Sequence, residues 1–262
     1  MTEQVKLGLL GCRGRMGRAI TEAIVAGFTV RLVAAAEHPD HPEQAMTLSD
    51  GVIVTDDPAS VFAVSDAVID FTPPGLTARM APLAARSGAA YVVGTTGLGA
   101  DDHAALDKAA EQVAVVQAGN FSLGVNLLQV LTRQVAATLG EDWDIDILEM
   151  HHRHKVDAPS GTAKMLGEAA ADGRGRRLAD VARTSREGTT GPRPEGEIGF
   201  ATLRGGAVIG EHEVIFASEN ERLTLSHKAE NRGLFAAGAV RAARWAATQA
   251  PGRYAMTDVL GL

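Results

Sequence analysis

Val5-Lys6-Leu7-Gly8-Leu9-Leu10-Gly11-Cys12-Arg13-Gly14-Arg15-Met16-Gly17 is the stretch on which the reading of the whole chain turns. Residues 5–10 form a short apolar run, which predicts a strand, and it feeds directly into a glycine-rich turn. Behind the turn Met16, Ile20 and Ile24, with Ala19 and Ala23 beside them, recur at helical spacing up to Gly27. Glycine at such a turn permits positive φ and close approach of backbone to a ligand. The N–H groups and dipole of the new helix favour a phosphate there. The pattern is G-x-x-G-x-x-G, because Arg13 stands where a middle glycine is usual, and by itself it also suits a tight ligand-free turn. A second apolar run, residues 30–36, ends in Glu37, placed to accept hydrogen bonds from a ribose. Strand, turn, helix and acidic residue together predict dinucleotide binding.

Outward from this unit the alternation continues. Strands are expected at 52–54, 67–71, 91–93 and 113–116. Helices are expected at 75–87, closed by Gly88, and from an Asp101 cap to about Gln112. Apolar strands without alternation imply a parallel sheet covered on both faces. Its ligand would lie beyond the carboxyl ends of the strands, where Phe71-Thr72-Pro73, Gly94-Thr95-Thr96-Gly97 and residues 118–122 emerge. The threonines there suit loop capping, or contact with a nicotinamide or substrate.

The character changes after Asn120. A helix is expected at 123–139, with Val125, Leu128, Leu131 and Val135 on one face. Trp143, Ile145 and Ile147 then alternate with Asp144 and Asp146 in a strand ending at Met150. A helix at 163–171, a loop rich in Gly and Arg at 173–197, and strands at 199–203, 207–209, 214–217 and 223–226 follow. The loop between 174 and 194 is too long for a simple connection, which predicts that it is mobile or covered by another subunit. An alanine-rich helix at 233–247 is expected to pack back on the first domain. The predicted architecture is α/β: a Rossmann-like parallel-sheet domain (1–122 and 233–262) plus a second α+β domain (123–232) with a mainly antiparallel open sheet.

Bulk composition narrows the partners. Lys plus Arg is 25 against 32 for Asp plus Glu, a formal net charge of -7 over 262 residues, which argues against nucleic acid or an anionic membrane. The single cysteine, Cys12, leaves no intramolecular disulfide framework and fits a reducing compartment. The sequence presents neither a signal-peptide pattern nor an apolar run long enough for a bilayer, so a cytoplasmic location is expected.

Against this background His151-His152-Arg153-His154-Lys155-Val156-Asp157-Ala158-Pro159-Ser160-Gly161-Thr162 gathers three imidazoles, a guanidinium and an ammonium. Held together they repel one another unless an anion sits among them. The stretch is either an anion site with acid/base groups attached or a polar turn. A metal site built from His151, His152 and His154 is disfavoured by the interleaved Arg153 and Lys155, so no metal is expected. Ser160-Gly161-Thr162 opens the 163–171 helix, where N–H groups can hold a carboxylate.

Several motifs, taken in order, are specific: Gly11 to Gly17, Gly94-Thr95-Thr96-Gly97, Asn120-Phe121-Ser122, Glu149 through Thr162, Ser185-Arg186-Glu187-Gly188, Ile198-Gly199-Phe200-Ala201 and Gly210-Glu211-His212. Nearly end to end the chain resembles the 4-hydroxy-tetrahydrodipicolinate (dihydrodipicolinate) reductase family. The resemblance implies reduction of a cyclic dicarboxylate by NADH or NADPH, with loss of water, in the diaminopimelate route to lysine, by homotetramers assembled through the second domain. By position, His151 resembles the acid/base residue and Lys155 the proton donor, while His152, Gly161 and Thr162 resemble substrate contacts. Gly11, Cys12, Arg13, Gly14, Arg15, Met16, Glu37, Gly94, Thr95, Thr96, Ala118, Gly119, Asn120 and Phe121 resemble cofactor contacts. Two positions depart from the pattern. His38 stands where some relatives place an Arg for the 2′-phosphate of NADPH, and Gly119 stands where Ala or Pro is common.

The chemistry agrees with the resemblance. Hydride delivery leaves electron density to be protonated, which suits an imidazole titrating near neutral pH and a nearby ammonium. Residues four apart lie on one side of a helix or a strand, so His151 and Lys155 can face one ligand in either. Glu37 favours NADH, and Arg13 could reach the extra phosphate of NADPH, so use of both is expected. The alternatives are a dinucleotide-sensing regulator without turnover and a dehydrogenase of another small carboxylate; a regulator would not need the His151/Lys155 pair.

Overall fold

The computed structural model describes residues 4–25, 30–43, 46–48 and 51–262. The chain forms two compact units, residues 1–123 with 233–262 and residues 124–232. Unit 1 runs β1 (Val5–Leu10), α1 (Arg15–Val25), β2 (Val30–Ala36), β3 (Val54–Thr55), α2 (Pro58–Val64), β4 (Ala67–Asp70), α3 (Thr77–Ser87), β5 (Ala90–Val93), α4 (Ala100–Ala110) and β6 (Ala114–Gln117). Unit 2 follows with α5 (Leu123–Thr138), β7 (Asp144–His151), α6 (Gly161–Gly173), α7 (Leu178–Val181), β8 (Ala182–Arg183), β9 (Ile198–Arg204), β10 (Glu211–Ala217) and β11 (Arg222–Lys228). The chain then returns to unit 1 as α8 (Gly233–Ala246), β12 (Gly252–Tyr254) and α9 (Met256–Leu260).

The strands of unit 1 pair in parallel in the order β12-β6-β5-β4-β1-β2-β3. Every residue of β4 and β5 is buried, as two covered faces require. On one face Leu7, Leu9, Ile69 and Val92 meet Ile20 and Ile24 of α1 and the alanines of α8. On the other Val68, Tyr91, Val93 and Val115 form a second core with Phe62, Met80 and Leu106. Small residues let α8 seat closely: a Cβ on Gly238 would stand 1.8 Å from the Phe121 carbonyl oxygen. The chain order reverses beside β1, between β2 and β4, so the ends of β1 and β4 border the crevice where a parallel sheet binds ligands.

Local details differ from expectation for identifiable reasons. Helix α1 is described to Val25, and its expected end at Gly27 lies outside the described residues. The strand expected at 52–54 falls at β3. Helix α2 was not anticipated, although Asp57 caps it by accepting from the Ala59 N–H at 3.0 Å and Pro58 opens it. Helix α4 is capped at its start by Asp102 rather than Asp101: the Asp102 carboxylate accepts from the N–H groups of Gly99 and Ala78, both at 3.0 Å. Residues 207–209 are not a strand. The preceding turn hooks instead onto the end of β7, with Gly205 N–H donating to His151 O at 3.0 Å and Arg153 N–H to Gly206 O at 3.2 Å.

The sheet of unit 2 has the order β11-β10-β7-β9-β8. Strand β10 is antiparallel to both neighbours, while β9 runs parallel to β7 and β8, so the sheet is mixed. One face carries Ile145, Ile147, Ile198, Val214 and Phe216 against Leu166 and Ala170 of α6. The long segment before β9 contains α7 and β8 and is tied to the sheet by arginines. Arg183 reaches Glu197 at 2.9 Å, Arg186 bridges Glu197 and Asp146 at 2.6 and 3.0 Å, and Arg193 reaches Asp144 at 2.9 Å.

Candidate active site

In unit 1 the turn after β1 is built by two glycines with separate duties. Gly11 has φ 71°, and a Cβ on Gly17 would lie 2.2 Å from the Gly11 carbonyl oxygen, so α1 can start this close to β1 only with glycine there. Glu37, at the end of β2, accepts from the Arg13 N–H at 2.8 Å and the His38 N–H at 2.9 Å. These bonds fix the carboxylate beside the turn and leave it further acceptor capacity. A cleft of about 620 Å³ opens here, with Gly11, Glu37, Phe71, Leu76 and Arg79 among its walls.

The other expected cofactor residues divide into walls and rims. Cys12 is buried and its thiol is pushed up to about 11, chiefly by burial and then by the Glu37 charge, so only its backbone can serve a ligand. The Arg13 guanidinium donates to Met46 O at 3.1 Å and lies 3.6 Å from Glu43. Arg15, Gly14 and His38 are exposed, and Met16 packs against the core. Gly94 makes room for the Phe71 ring, whose atoms would come within 2.3 Å of a Cβ, and Phe71 packs on Phe121 at 5.6 Å. Thr95 donates to Thr72 O at 2.8 Å, while Thr96 is exposed. Ala118 N–H donates to Val93 O, Asn120 Oδ1 accepts from Ser122 N–H at 2.8 Å, and Gly119 is exposed.

In unit 2 the site is a continuation of the core face of the sheet. Alternation along β7 buries Ile145, Ile147 and Glu149 and carries His151 onto the same face. Across the ladders Glu149 is flanked by His212 of β10 and Thr202 of β9, and His151 by Arg204 of β9. Where apolar residues end, polar ones therefore take their places in register. The Glu149 carboxylate, 1% exposed, accepts from Arg204 Nη1 at 2.7 Å and Nη2 at 2.8 Å, and from the Ser160 N–H at 3.0 Å. His151 Nδ1 lies 2.6 Å from the same carboxylate. Burial would push Glu149 up, but these hydrogen bonds hold it below the usual carboxylate range, so it accepts only and Nδ1 carries the hydrogen. The lone pair of Nε2 then points away from Glu149, past Gly210, whose missing Cβ would stand 3.1 Å from it.

Burial, the largest influence, lowers His151; Glu149 raises it, Lys155 and Arg204 lower it, and the balance leaves the imidazole below its ordinary range and so neutral at neutral pH. His212, 3% exposed, is pushed down to about 4 by burial and then by His151, which it meets edge-on at 5.1 Å. Its Nε2 is 3.2 Å from Ser160 Oγ. Ser160 caps α6 by accepting from the Ala163 N–H at 3.1 Å, which places Gly161 and Thr162 at the positive end of that helix.

Lys155 stands in the loop after β7, neither helix nor strand, so the four-residue spacing is not what brings it near His151. A turn does so, with Lys155 N–H donating to His152 O at 3.1 Å. Its ammonium pairs with Asp157 at 2.7 Å. His152 is half-buried, its ring 6.3 Å from that of the exposed His154. Among the described residues no three potential ligand side chains converge as a metal would require. Roles for Glu149, Arg204 and His212 were not foreseen from sequence. Their signal was present: each shares the inward phase of its strand with buried apolar residues, Ile145 and Ile147 in β7, Ile198 and Phe200 in β9, Val214 and Phe216 in β10.

Comparison with known proteins agrees along the whole chain. The dihydrodipicolinate reductase N-terminus profile matches residues 5–121, and the C-terminus profile of the same family matches 124–260. The 4-hydroxy-tetrahydrodipicolinate reductases of Ruegeria pomeroyi and Sinorhizobium fredii are 51% and 54% identical, covering 100% and 98% of both chains respectively. A dipicolinate-bound dihydrodipicolinate reductase from Paenisporosarcina sp. TG-14 shares the fold, with a TM-score of 0.81 at 23% identity over 98% of this chain and 99% of that one. With both halves matched and full-length relatives above half identity, the chain belongs to the dihydrodipicolinate reductase family, oxidoreductases acting on 4-hydroxy-tetrahydrodipicolinate.

Proposed function

We propose that the two units divide one reduction between them. Residues of unit 1 hold the reduced nicotinamide dinucleotide, and the end of the unit 2 sheet holds the cyclic dicarboxylate and manages its proton. The reaction replaces a hydroxyl by hydrogen, taking up one hydride and one proton and releasing water, which yields tetrahydrodipicolinate for the diaminopimelate route to lysine. The observation that carries this reading is the His151 imidazole, fixed by Glu149 through Nδ1 and open at Nε2, beside an ammonium and the start of a helix.

The residues present fit the cofactor. The Gly11 turn and the first turn of α1 suit a pyrophosphate, Glu37 suits free ribose hydroxyls, and the cleft beside them is walled largely by apolar groups. When bound, the cofactor supplies the hydride. The chain supplies the rest. Gly161 and Thr162, with His152, receive a substrate carboxylate at the α6 dipole. Lys155 leaves Asp157 for the substrate, gives a proton and stabilises developing negative charge. His151 Nε2 accepts a hydrogen bond and, as the acid/base group, takes up and returns a proton within the cycle, so the net uptake stays at the one proton that Lys155 gives. Both cofactors serve, NADH with the higher efficiency, because Arg13 is already engaged by Met46 and Glu43 and His38 replaces a permanent cation.

We place the protein in the cytoplasm, in keeping with its lone cysteine; among the described residues no helix is long and apolar enough to cross a membrane. A homotetramer through unit 2 is supported by the second face of its sheet. That face carries Leu148, Met150, Leu203 and Ile215, none of them buried. The test of the function is to follow oxidation of NADH and NADPH with the cyclic substrate. Loss of reduced cofactor is expected with both, and no oxidation of either would reject the reading. Lys155→Ala is expected to lower kcat by 10²- to 10⁴-fold, the usual worth of a general acid, with cofactor affinity unchanged. Equal losses in both would reject its role.

A further inference from the structure

The Glu149 carboxylate lies at the centre of the unit 2 site. One oxygen receives His151 Nδ1 and Arg204 Nη1, and the other receives the Ser160 N–H and Arg204 Nη2, with Thr202 Oγ at 3.4 Å. A single buried carboxylate therefore spans the proton-handling imidazole and the residue that caps the anion-binding helix. Arg204 also donates to Asp157 O at 2.7 Å, which extends the same network into the loop that carries Lys155.

We propose that Glu149 and Arg204 are a positioning pair: Glu149 sets the Nδ1–H tautomer and the orientation of His151 relative to the start of α6, and Arg204 compensates the Glu149 charge so that His151 stays neutral. The proposal rests on the reading of His151 as the acid/base group. Its logic follows from two opposed requirements. A carboxylate beside an imidazole is the usual way to fix tautomer and ring plane, but in a buried setting its charge also favours imidazolium. A bidentate guanidinium removes that bias while leaving the carboxylate oxygens free to accept. The other groups facing His151 are Lys155 from the following loop and the neutral His212 from β10, which itself faces His227 of β11. Neither Lys155 nor His212 can substitute for a negative acceptor at Nδ1.

The pair predicts shifts of opposite sign. Glu149 raises the proton affinity of His151 and Arg204 lowers it. Glu149→Gln should move His151 titration to lower pH, and Arg204→Gln should move it to higher pH. The full-length protein is labelled with ¹⁵N-histidine, and the His151 resonances are identified by their loss in His151→Gln. Wild-type His151 is expected to show a protonated Nδ1 and an unprotonated Nε2. Glu149→Gln is expected to admit the Nε2–H tautomer and to lower kcat by about 10- to 100-fold, as outer-shell partners of a working imidazole typically do, with NADH affinity unchanged. An Nε2–H tautomer in the wild type would overturn the proposal. So would a Glu149→Gln variant that loses turnover with tautomer and titration unaltered, or shifts of the same sign in both variants. If Glu149→Gln does not fold, the wild-type tautomer and the Arg204→Gln shift still decide. If the wild type does not reduce the substrate, the functional reading falls while the tautomer test stands on its own.

Discussion

Gly210 contributes by lacking a side chain. It is buried, it lies immediately before β10, and its backbone is outside the left-handed region, so alanine can adopt its conformation. A methyl group there would stand 3.1 Å from His151 Nε2 and 3.5 Å from Cδ2, across the only ring nitrogen that Glu149 leaves free. Gly210→Ala should therefore fold, bind NADH as before and lose kcat/KM on the order of 100-fold, the cost of a displacement of roughly an ångström at a reacting group. Turnover at the wild-type level would mean that His151 meets its substrate from another side. The comparison with Lys155→Ala is informative, since that change removes a charge and this one only fills space.

At the scale of elements the site is a property of three adjacent strands rather than of one motif. Its parity was legible in sequence: Ile145 and Ile147 alternate with acidic residues, and the same count carries Glu149 and His151 onto the buried face. Sequence could not supply the register. That Glu149 lies between His212 and Thr202 and that His151 lies beside Arg204 depends on pairings across more than fifty residues of chain, which local periodicity does not encode. The same limit explains why residues 207–209, apolar enough for a strand, form none: their neighbours bond to the end of β7 instead. In unit 1 the strand-turn-helix unit and Glu37 were legible because all their signals are local. The commitment of Arg13 to Met46 and Glu43 was not. Burying a neutral imidazole in β10 has a consequence for stability. His212 is pushed down to about 4 from an ordinary 6.5, so below pH 6.5 the unfolded chain binds a proton that the folded one refuses. Stability supplied this way is complete above pH 6.5 and falls as pH drops toward 4, by about 3 kcal/mol from this group. Glu149, held below its ordinary range, adds a loss in the same direction at still lower pH. Urea unfolding of unit 2 at pH 7 and pH 5 should show the fall, and His212→Gln, which keeps a polar group opposite Ser160, should flatten it. An equal pH dependence in that variant would remove His212 as the cause.

At the scale of the molecule, the described residues build separate hydrophobic cores: two on the faces of the unit 1 sheet and one under the unit 2 sheet. Returning α8 to unit 1 makes that unit discontinuous in sequence, so it can complete its core only after unit 2 has been synthesised. Each unit also carries one tryptophan. Trp245 packs edge-on against Tyr254 at 5.0 Å in unit 1, and Trp143 lies against the core of unit 2. Trp143→Phe and Trp245→Phe therefore leave one reporter per unit, and separate cores predict that the two reporters need not unfold together. Because the proposed dinucleotide contacts at Gly11 and Glu37 lie in unit 1, NADH at 100 times its Kd should stabilise the Trp245-reported transition by about 2.7 kcal/mol. The Trp143-reported transition should move far less. Equal displacement of both would show that the units unfold as one cooperative body, and the ligand energy gained at the glycine turn would then be shared by the sheet that carries His151.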